Sequence, residues 1–206
     1  MGNSLSGNTI DRLHFRRNTR PSRRAGGSLR RVPTLVRDPP PAEFEALLER
    51  RRRLGQDILD EVWEGVYVMR QVPASGHADV AHQLAVILGP LAREAGLVPM
   101  IGNFNLGGPD DYRVPDGALL SGRASNRLYV PTAELVVEIV SPDDGTLDKL
   151  GFYAAHDVGE LLIVDPEKRE VHWLALRPDR EYQPIERSTL VVLGPAELAE
   201  RIDWPQ

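Results

Sequence analysis

Two short apolar runs, each carrying a single carboxylate, constrain the fold of this chain more than any other feature of its sequence. Asp116 follows Pro115 and precedes the apolar residues 118–120, whereas Glu138 interrupts the β-branched run of residues 135–140. Short apolar runs bounded by turn residues predict buried strands. Because an ionised carboxylate buried without a partner costs several kcal/mol, Glu138 is expected to face a cleft. If the two runs form neighbouring strands, Asp116 and Glu138 lie side by side.

A lysine follows the two acids, and lysine is rare in this chain. Lys149 is one of only two lysines, against 23 arginines, so its presence here is not background usage. Adjacent carboxylates provide the oxygen ligands that Mg²⁺ requires. A nearby lysine would orient a water nucleophile and stabilise the charge that develops on phosphate. The simpler alternative is that Pro115 and Asp116 form a turn and that Glu138 pairs with an arginine.

Further short motifs surround these residues between about Asp57 and Leu176. They comprise Glu64 and Gly65 with Met69 and Pro73, His77 at the start of a helix, residues 113–116 and 137–142, Lys149 with Tyr153, and residues 159–166. As a set they resemble the Uma-type putative restriction endonucleases, a bacterial branch of the PD-(D/E)XK nuclease superfamily. The resemblance covers about 120 residues, which is more than half of the chain.

This resemblance implies both a fold and an activity. The fold would be α+β, with a restriction-endonuclease-like αβββαβ core and a mixed central sheet flanked by helices. The activity would be hydrolysis of DNA phosphodiester bonds by a metal-activated water, without a covalent enzyme intermediate. Asp116 and Glu138 would bind Mg²⁺ or Mn²⁺ together with the backbone carbonyl of Ile139.

The position of the lysine departs from the superfamily pattern. That pattern places a lysine two residues after the second acid, where this chain has Val140. The chain resembles superfamily members in which the lysine has moved to the following helix. Lys149 would then be the third catalytic residue beside Asp116 and Glu138.

Three further side chains are candidate accessory residues. His77 resembles a family histidine at the start of the first core helix, where it would either face the cleft near Asp116 or cap and pack that helix. Glu64 is either a third acid on a hairpin or, as we favour, a turn residue. Tyr153 lies four residues after Lys149 and shares a helical face with it, so it either orients the lysine or packs in the core.

The first 40 residues differ from the rest in charge and composition. They hold nine arginines and two aspartates, about +7, which leaves about −12 for the remainder of a chain whose net charge is −5. Their Ser, Gly, Asn and Pro content predicts a disordered tail, followed by a nuclease-like domain over residues 41–206. The arginines either hold a nucleic acid backbone without sequence specificity or belong to a solvated leader or a start codon assigned too early.

The overall composition is ordinary for a soluble protein, with 41% hydrophobic and 27% charged residues. The chain has no cysteine, which excludes disulfides and zinc–thiolate sites. Because no apolar stretch reaches the roughly 18 residues of a membrane span and no secretory signal is evident, we expect a cytoplasmic protein without a membrane partner. The arginine-rich, lysine-poor usage is typical of a GC-rich bacterium.

Hydrophobic periodicity and turn residues predict the order of the elements. Helices are expected at about 42–54, 77–96 and 146–156, with a short one from Pro195. Strands are expected at about 58–63, 66–70, 98–104, 112–120, 134–140, 161–164, 171–176, 182–185 and 190–193. Residues 102–108 are expected to form a loop, and they lack the Gly-Lys-Ser/Thr ending of a phosphate-binding loop.

Two other functions are consistent with the same residues. A catalytically inactive binding or regulatory protein would keep the nuclease fold and use the acids structurally, or bind a metal without turnover. A small-molecule phosphohydrolase would place the acids in a closed pocket instead of an open groove. For the nuclease, DNA is the expected substrate, and a symmetric homodimer would be the simplest way to cut both strands.

Overall fold

The computed structural model describes residues 42–122, 126–141 and 145–206. These residues form an α+β fold, which confirms the predicted class. The tail predicted over residues 1–40 lies outside the described residues. No helix within the described ranges is both long and apolar enough to cross a membrane.

Groups of strands separate the helices along the chain. The helices are α1 (Ala42–Arg53), α2 (Ser75–Glu94), α3 (Leu150–Ala155) and α4 (Pro195–Arg201), and a 3₁₀ turn (Thr146–Lys149) leads directly into α3. The strands are β1 (Glu61–Trp63), β2 (Val66–Val68), β3 (Val98–Ile101), β4 (Asn105–Gly108), β5 (Asp111–Arg113), β6 (Gly117–Leu120), β7 (Tyr129–Val130), β8 (Leu135–Ile139), β9 (Glu160–Asp165), β10 (Glu170–Leu176) and β11 (Tyr182–Pro184).

The larger sheet contains six strands in the order β11-β10-β9-β8-β6-β3. Strands β8 and β9 are parallel, and every other neighbouring pair is antiparallel. Alternate residues of a strand point to opposite faces. Leu135, Val137 and Ile139 accordingly share a core with helix α2, whereas Val136 shares a second core with Tyr153 of α3. Glu138 is in step with Val136 and therefore points toward α3.

The smaller sheet contains five strands in the order β2-β1-β5-β4-β7. Strands β1 and β2 form the predicted hairpin, in which Trp63 pairs with Val66. The two turn residues have positive φ angles, 50° for Glu64 and 80° for Gly65, as a two-residue type I′ turn requires. Val62 of β1 pairs with Tyr112 of β5, which joins the hairpin to the segment that leads into Asp116.

Three local predictions were wrong. Residues 112–120 form two strands in different sheets, because Pro115 lies between β5 and β6 and cannot donate a ladder hydrogen bond. The predicted loop at 102–108 contains strand β4. Residues 190–193 contain no strand but a turn, in which Val192 is exposed and has a φ of 50°.

Candidate active site

Asp116 and Glu138 lie at the adjoining ends of two neighbouring strands of the larger sheet. Strands β6 and β8 pair Gly117 with Val137; Asp116 directly precedes Gly117, and Glu138 directly follows Val137. The Asp116 N–H donates to the Val137 carbonyl oxygen at 3.1 Å. The Asp116 Oδ2 atom accepts a hydrogen bond from the Ile139 N–H at 2.7 Å. Backbone pairing therefore fixes the first carboxylate beside the strand that carries the second.

Lys149 reaches Glu138 from the 3₁₀ turn that precedes α3. Its Nζ atom lies 3.0 Å from Glu138 Oε1 and 3.2 Å from Oε2. The lysine is only 3% exposed. Burial alone would lower the pKa of Lys149, but the carboxylates of Glu138 and Glu61 outweigh it and raise that pKa. Lys149 is therefore held as an ammonium group that donates hydrogen bonds and cannot accept a proton.

Tyr153 supplies a second donor to the same carboxylate. It lies one helical turn after Lys149, and its hydroxyl donates to Glu138 Oε1. Burial, followed by the charge of Glu138, raises the pKa of Tyr153 well above its usual value. The hydroxyl thus stays protonated and holds Glu138 in one orientation.

Glu138 has an unusually high affinity for a proton. Burial raises its pKa to about 7; the charge of Lys149 opposes this effect, and the charges of Asp116 and Glu61 add to it. Two other carboxylates thus disfavour the ionised form of Glu138 and Lys149 favours it, but burial is the largest cause of the raised pKa. A cation bound to Glu138 would favour the ionised form.

His77 fixes the more accessible acid. In the first turn of α2, its Nε2 atom lies 2.8 Å from Asp116 Oδ1, and its Nδ1 atom lies 3.0 Å from Ser141 Oγ. An ionised carboxylate only accepts hydrogen bonds, so Nε2 carries the proton toward Asp116. In the neutral imidazole, Nδ1 then accepts from the Ser141 hydroxyl. The histidine therefore faces the acid, as one of its two sequence-based interpretations expected.

Asp116 and His77 open onto a groove beside α2. The groove has a volume of about 340 Å³ and is also lined by Pro73, Ala78 and Asn103. The side chain of Asp116 is 25% exposed, whereas that of Glu138 is 5% exposed. The acid pair is thus more accessible from the Asp116 side.

Comparison with known proteins identifies the family. Residues 41–201 match the family described as Uma2, putative restriction endonuclease. The chain belongs to the Uma2 family. No curated protein is significantly similar to it in sequence.

A solved structure has the same fold as this Uma2-family chain. It is the crystal structure of a putative nuclease belonging to DUF820 from Anabaena variabilis. The two proteins are 15% identical, and the match covers 69% of this chain and 90% of the other with a TM-score of 0.57. At this identity the similarity establishes a shared fold and no more.

In this Uma2-family chain, the lysine that contacts Glu138 does not lie in β8, the strand that carries Glu138. Val140, at the position where the superfamily pattern has lysine, packs against the core that contains Tyr153. Lys149 comes from the turn after the strand and bonds directly to Glu138. The structure thus brings the displaced lysine to the second acid, as the family resemblance implied.

Glu61 is a site residue that the sequence analysis missed. Its Oε1 atom lies 3.0 Å from Lys149 Nζ, and the residue is 1% exposed. Glu64, the hairpin acid considered in its place, is exposed at the turn, as we favoured. The available signal was an acid inside the strand predicted at about 58–63. That strand lies in the smaller sheet, and local sequence does not show that its side chain reaches Lys149.

The donor set fits a hard divalent cation. Asp116 and Glu138 offer carboxylate oxygens, and the backbone of Ile139 is held beside Asp116 by its N–H. Mg²⁺ and Mn²⁺ prefer such oxygen ligands. Within the described ranges, no three His, Cys, Asp or Glu side chains are gathered as a metal site. The fit therefore rests on the chemistry of the two acids and of the neighbouring carbonyl.

Proposed function

We propose that this chain is a metal-dependent endonuclease that hydrolyses phosphodiester bonds in DNA. The observation that carries the proposal is the pair of neighbouring carboxylates: Asp116 bonds to the backbone on either side of Glu138, and the Lys149 ammonium bonds to Glu138. Membership of a family described as putative restriction endonucleases supports a nuclease. Asp116 also borders a groove that is open to solvent, so a polymeric substrate can reach it.

Asp116, Glu138 and the Ile139 carbonyl would hold Mg²⁺ or Mn²⁺. When bound, such an ion lowers the pKa of a coordinated water and neutralises charge on the scissile phosphate. The protein orients the ligands in advance, because Asp116 is fixed by the Ile139 N–H and His77, and Glu138 by Lys149 and Tyr153. Such preorganisation reduces the reorganisation that the reaction would otherwise require.

Lys149 acts as a fixed positive charge. Since its pKa is raised, it remains protonated at neutral pH and cannot be the general base. Its ammonium stabilises negative charge near Glu138 and limits how far that carboxylate can move. The side chain is 4% exposed and bonds to Glu138, so the lysine acts through that carboxylate.

A second candidate function is a nuclease-fold protein that binds nucleic acid without cleaving it. The observation that favours it is the burial of Glu138, whose two oxygens already accept bonds from Lys149. In that case the acid and lysine form a structural ion pair. Cleavage assays separate the two functions directly.

The first test is cleavage by the wild-type protein. Supercoiled plasmid, linear duplex, single-stranded and branched DNA, and a matched RNA, are incubated with EDTA, Mg²⁺ or Mn²⁺. The proposal predicts nicked or linear DNA with a divalent ion and none with EDTA. Failure of a folded protein to cut any substrate with either metal would favour the binding protein.

A further inference from the structure

We propose that Glu61 is a positioning residue that holds the Lys149 ammonium against Glu138. The inference rests on the proposed function, for which Lys149 must stay at one place beside the second acid. The proposal gives the β1–β2 hairpin a role in the site. This hairpin belongs to the smaller sheet, whereas Glu138 lies in the larger one.

The Glu61 carboxylate is itself immobilised by protein donors. Its Oε1 atom accepts from the Val114 N–H at 2.9 Å and from Lys149 at 3.0 Å. Its Oε2 atom accepts from the Trp63 indole at 2.8 Å and from two Arg70 nitrogens at 3.1 and 3.0 Å. The carboxylate cannot rotate without breaking several of these bonds.

These contacts also separate the role of Glu61 from that of a metal ligand. A carboxylate has about four lone-pair sites, and Glu61 already receives five donor contacts. Asp116, in contrast, accepts from His77 and Ile139 and borders the groove. Glu61 therefore acts through Lys149 and does not itself contact the reacting atoms.

Glu61 determines where the lysine can rest. The ammonium lies 3.0 Å from one oxygen of Glu61 and 3.0 and 3.2 Å from the two oxygens of Glu138. Because Lys149 is 3% exposed, bulk water cannot take over the hydrogen bond that the ammonium would lose with the Glu61 carboxylate. Burial alone would raise the pKa of Glu61, but Lys149, Arg70 and the Val114 N–H hold it below its usual value, so Glu61 carries a full negative charge.

The chain offers a direct readout of lysine position that does not depend on activity. It contains only two lysines, Lys149 and Lys168, and the Lys168 side chain is 66% exposed. Lysine-selective ¹⁵N labelling gives two side-chain ammonium signals in a heteronuclear NMR spectrum. The buried one should exchange slowly with water and report on the contacts of Lys149.

The test compares Glu61→Gln with a matched control, Glu160→Gln. Glu160 is also a buried strand glutamate that accepts from a tryptophan indole, that of Trp173 at 2.8 Å, but it has no contact with Lys149. We expect E61Q to shift or broaden the Lys149 signal and to lower kcat by at least about tenfold, with KM for DNA changed less than about twofold. E160Q should leave the Lys149 signal, kcat and KM unchanged.

Two outcomes would overturn the proposal. One is a folded E61Q protein with an unaltered Lys149 signal, and the other is an altered signal with unchanged kcat. If wild-type protein cuts no DNA, the proposed function fails, whereas the NMR comparison still decides whether Glu61 positions the lysine.

A second variant covers the case in which E61Q does not fold. Arg70→Gln removes the two Arg70 bonds to Glu61 and leaves the acid and lysine intact. We expect R70Q to shift the Lys149 signal in the same sense and to lower kcat by a smaller factor. A Lys149 signal that is insensitive to R70Q would count against the proposal.

Discussion

At the scale of single residues, the account depends on how the charge of Glu138 is balanced. The residue lies in a strand whose other described members are apolar, and Lys149 and Tyr153 are its side-chain partners within hydrogen-bonding distance. Lys149 and Tyr153 both belong to the helical segment that follows β8, and this segment packs against the face of the sheet on which Glu138 lies. Glu138 could be singled out from the sequence because a charge inside an apolar run needs a partner. Lys149 was singled out by the rarity of lysine and by the family resemblance.

The raised pKa of Glu138 predicts a pH dependence of stability. In metal-free protein its pKa is about 7 in the folded state, against 4.5 for an ordinary glutamate. The folded state therefore binds the proton more tightly, and the free energy of unfolding falls as pH rises between these values, by on the order of 3 kcal/mol. Glu138→Gln should abolish this fall.

The measurement is urea unfolding of wild type and E138Q, with EDTA, at about pH 5 and about pH 8. The quantity compared is the change in unfolding free energy between the two pH values. An equal change in both proteins would show that Glu138 is ionised in the folded state throughout this range.

The Tyr153 hydroxyl gives a second residue-scale prediction. Tyr153→Phe removes a donor to a buried carboxylate and should lower the free energy of unfolding by about 1–3 kcal/mol and slow cleavage by about tenfold. Tyr182→Phe is the matched control, because Tyr182 is buried and donates to the Val158 carbonyl. It should lower stability only. Equal effects of the two variants on cleavage would contradict a specific role of Tyr153 in the active site.

At the scale of elements, Pro115 explains both a success and a failure of the sequence analysis. The extended backbone on either side of Pro115 was predicted, but as one strand; the α2 helix and the β1–β2 turn were also predicted. The assignment of β5 and β6 to different sheets was not predictable, because local periodicity carries no information on strand partners. The same limit concealed Glu61, whose strand lies in the smaller sheet and whose carboxylate nevertheless contacts Lys149.

Two neighbouring glycines in β4 test how closely the smaller sheet packs on α3. Gly107 has a φ of +120°, and a Cβ there would lie 2.8 Å from Phe152 and nearer still to the Asp111 carbonyl oxygen. Gly107→Ala should lower the free energy of unfolding by about 3 kcal/mol. Gly108→Ala meets no atom within 4 Å and should be close to neutral. Equal values from urea unfolding would contradict this packing.

At the scale of the whole molecule, charge is divided unevenly along the chain. Residues 1–40 carry about +7 and the remainder about −12. An acidic domain repels DNA unless metal ions or local arginines offset its charge. The basic segment is a candidate for supplying the missing attraction, although its structure lies outside the described residues.

Replacement of the nine arginines in residues 1–40 by glutamine tests this idea. We expect weaker DNA binding at low salt and a shallower dependence of affinity on salt, since each phosphate contact contributes about 0.9 to that slope. The check is fluorescence anisotropy of a labelled duplex over a salt series. An unchanged slope would place the DNA contacts in residues 41–206.

The most direct test of the central claim is plasmid cleavage by Asp116→Asn, Glu138→Gln and Lys149→Met, each confirmed as folded. Glu160→Gln serves as the control for loss of a buried acid elsewhere in the larger sheet. If these three residues form one hydrolytic site, each variant loses metal-dependent cleavage by at least about a hundredfold, while E160Q cuts like the wild type. Cleavage that survives loss of Asp116 or Glu138 would contradict the site, and cleavage that survives loss of Lys149 alone would remove the lysine from it.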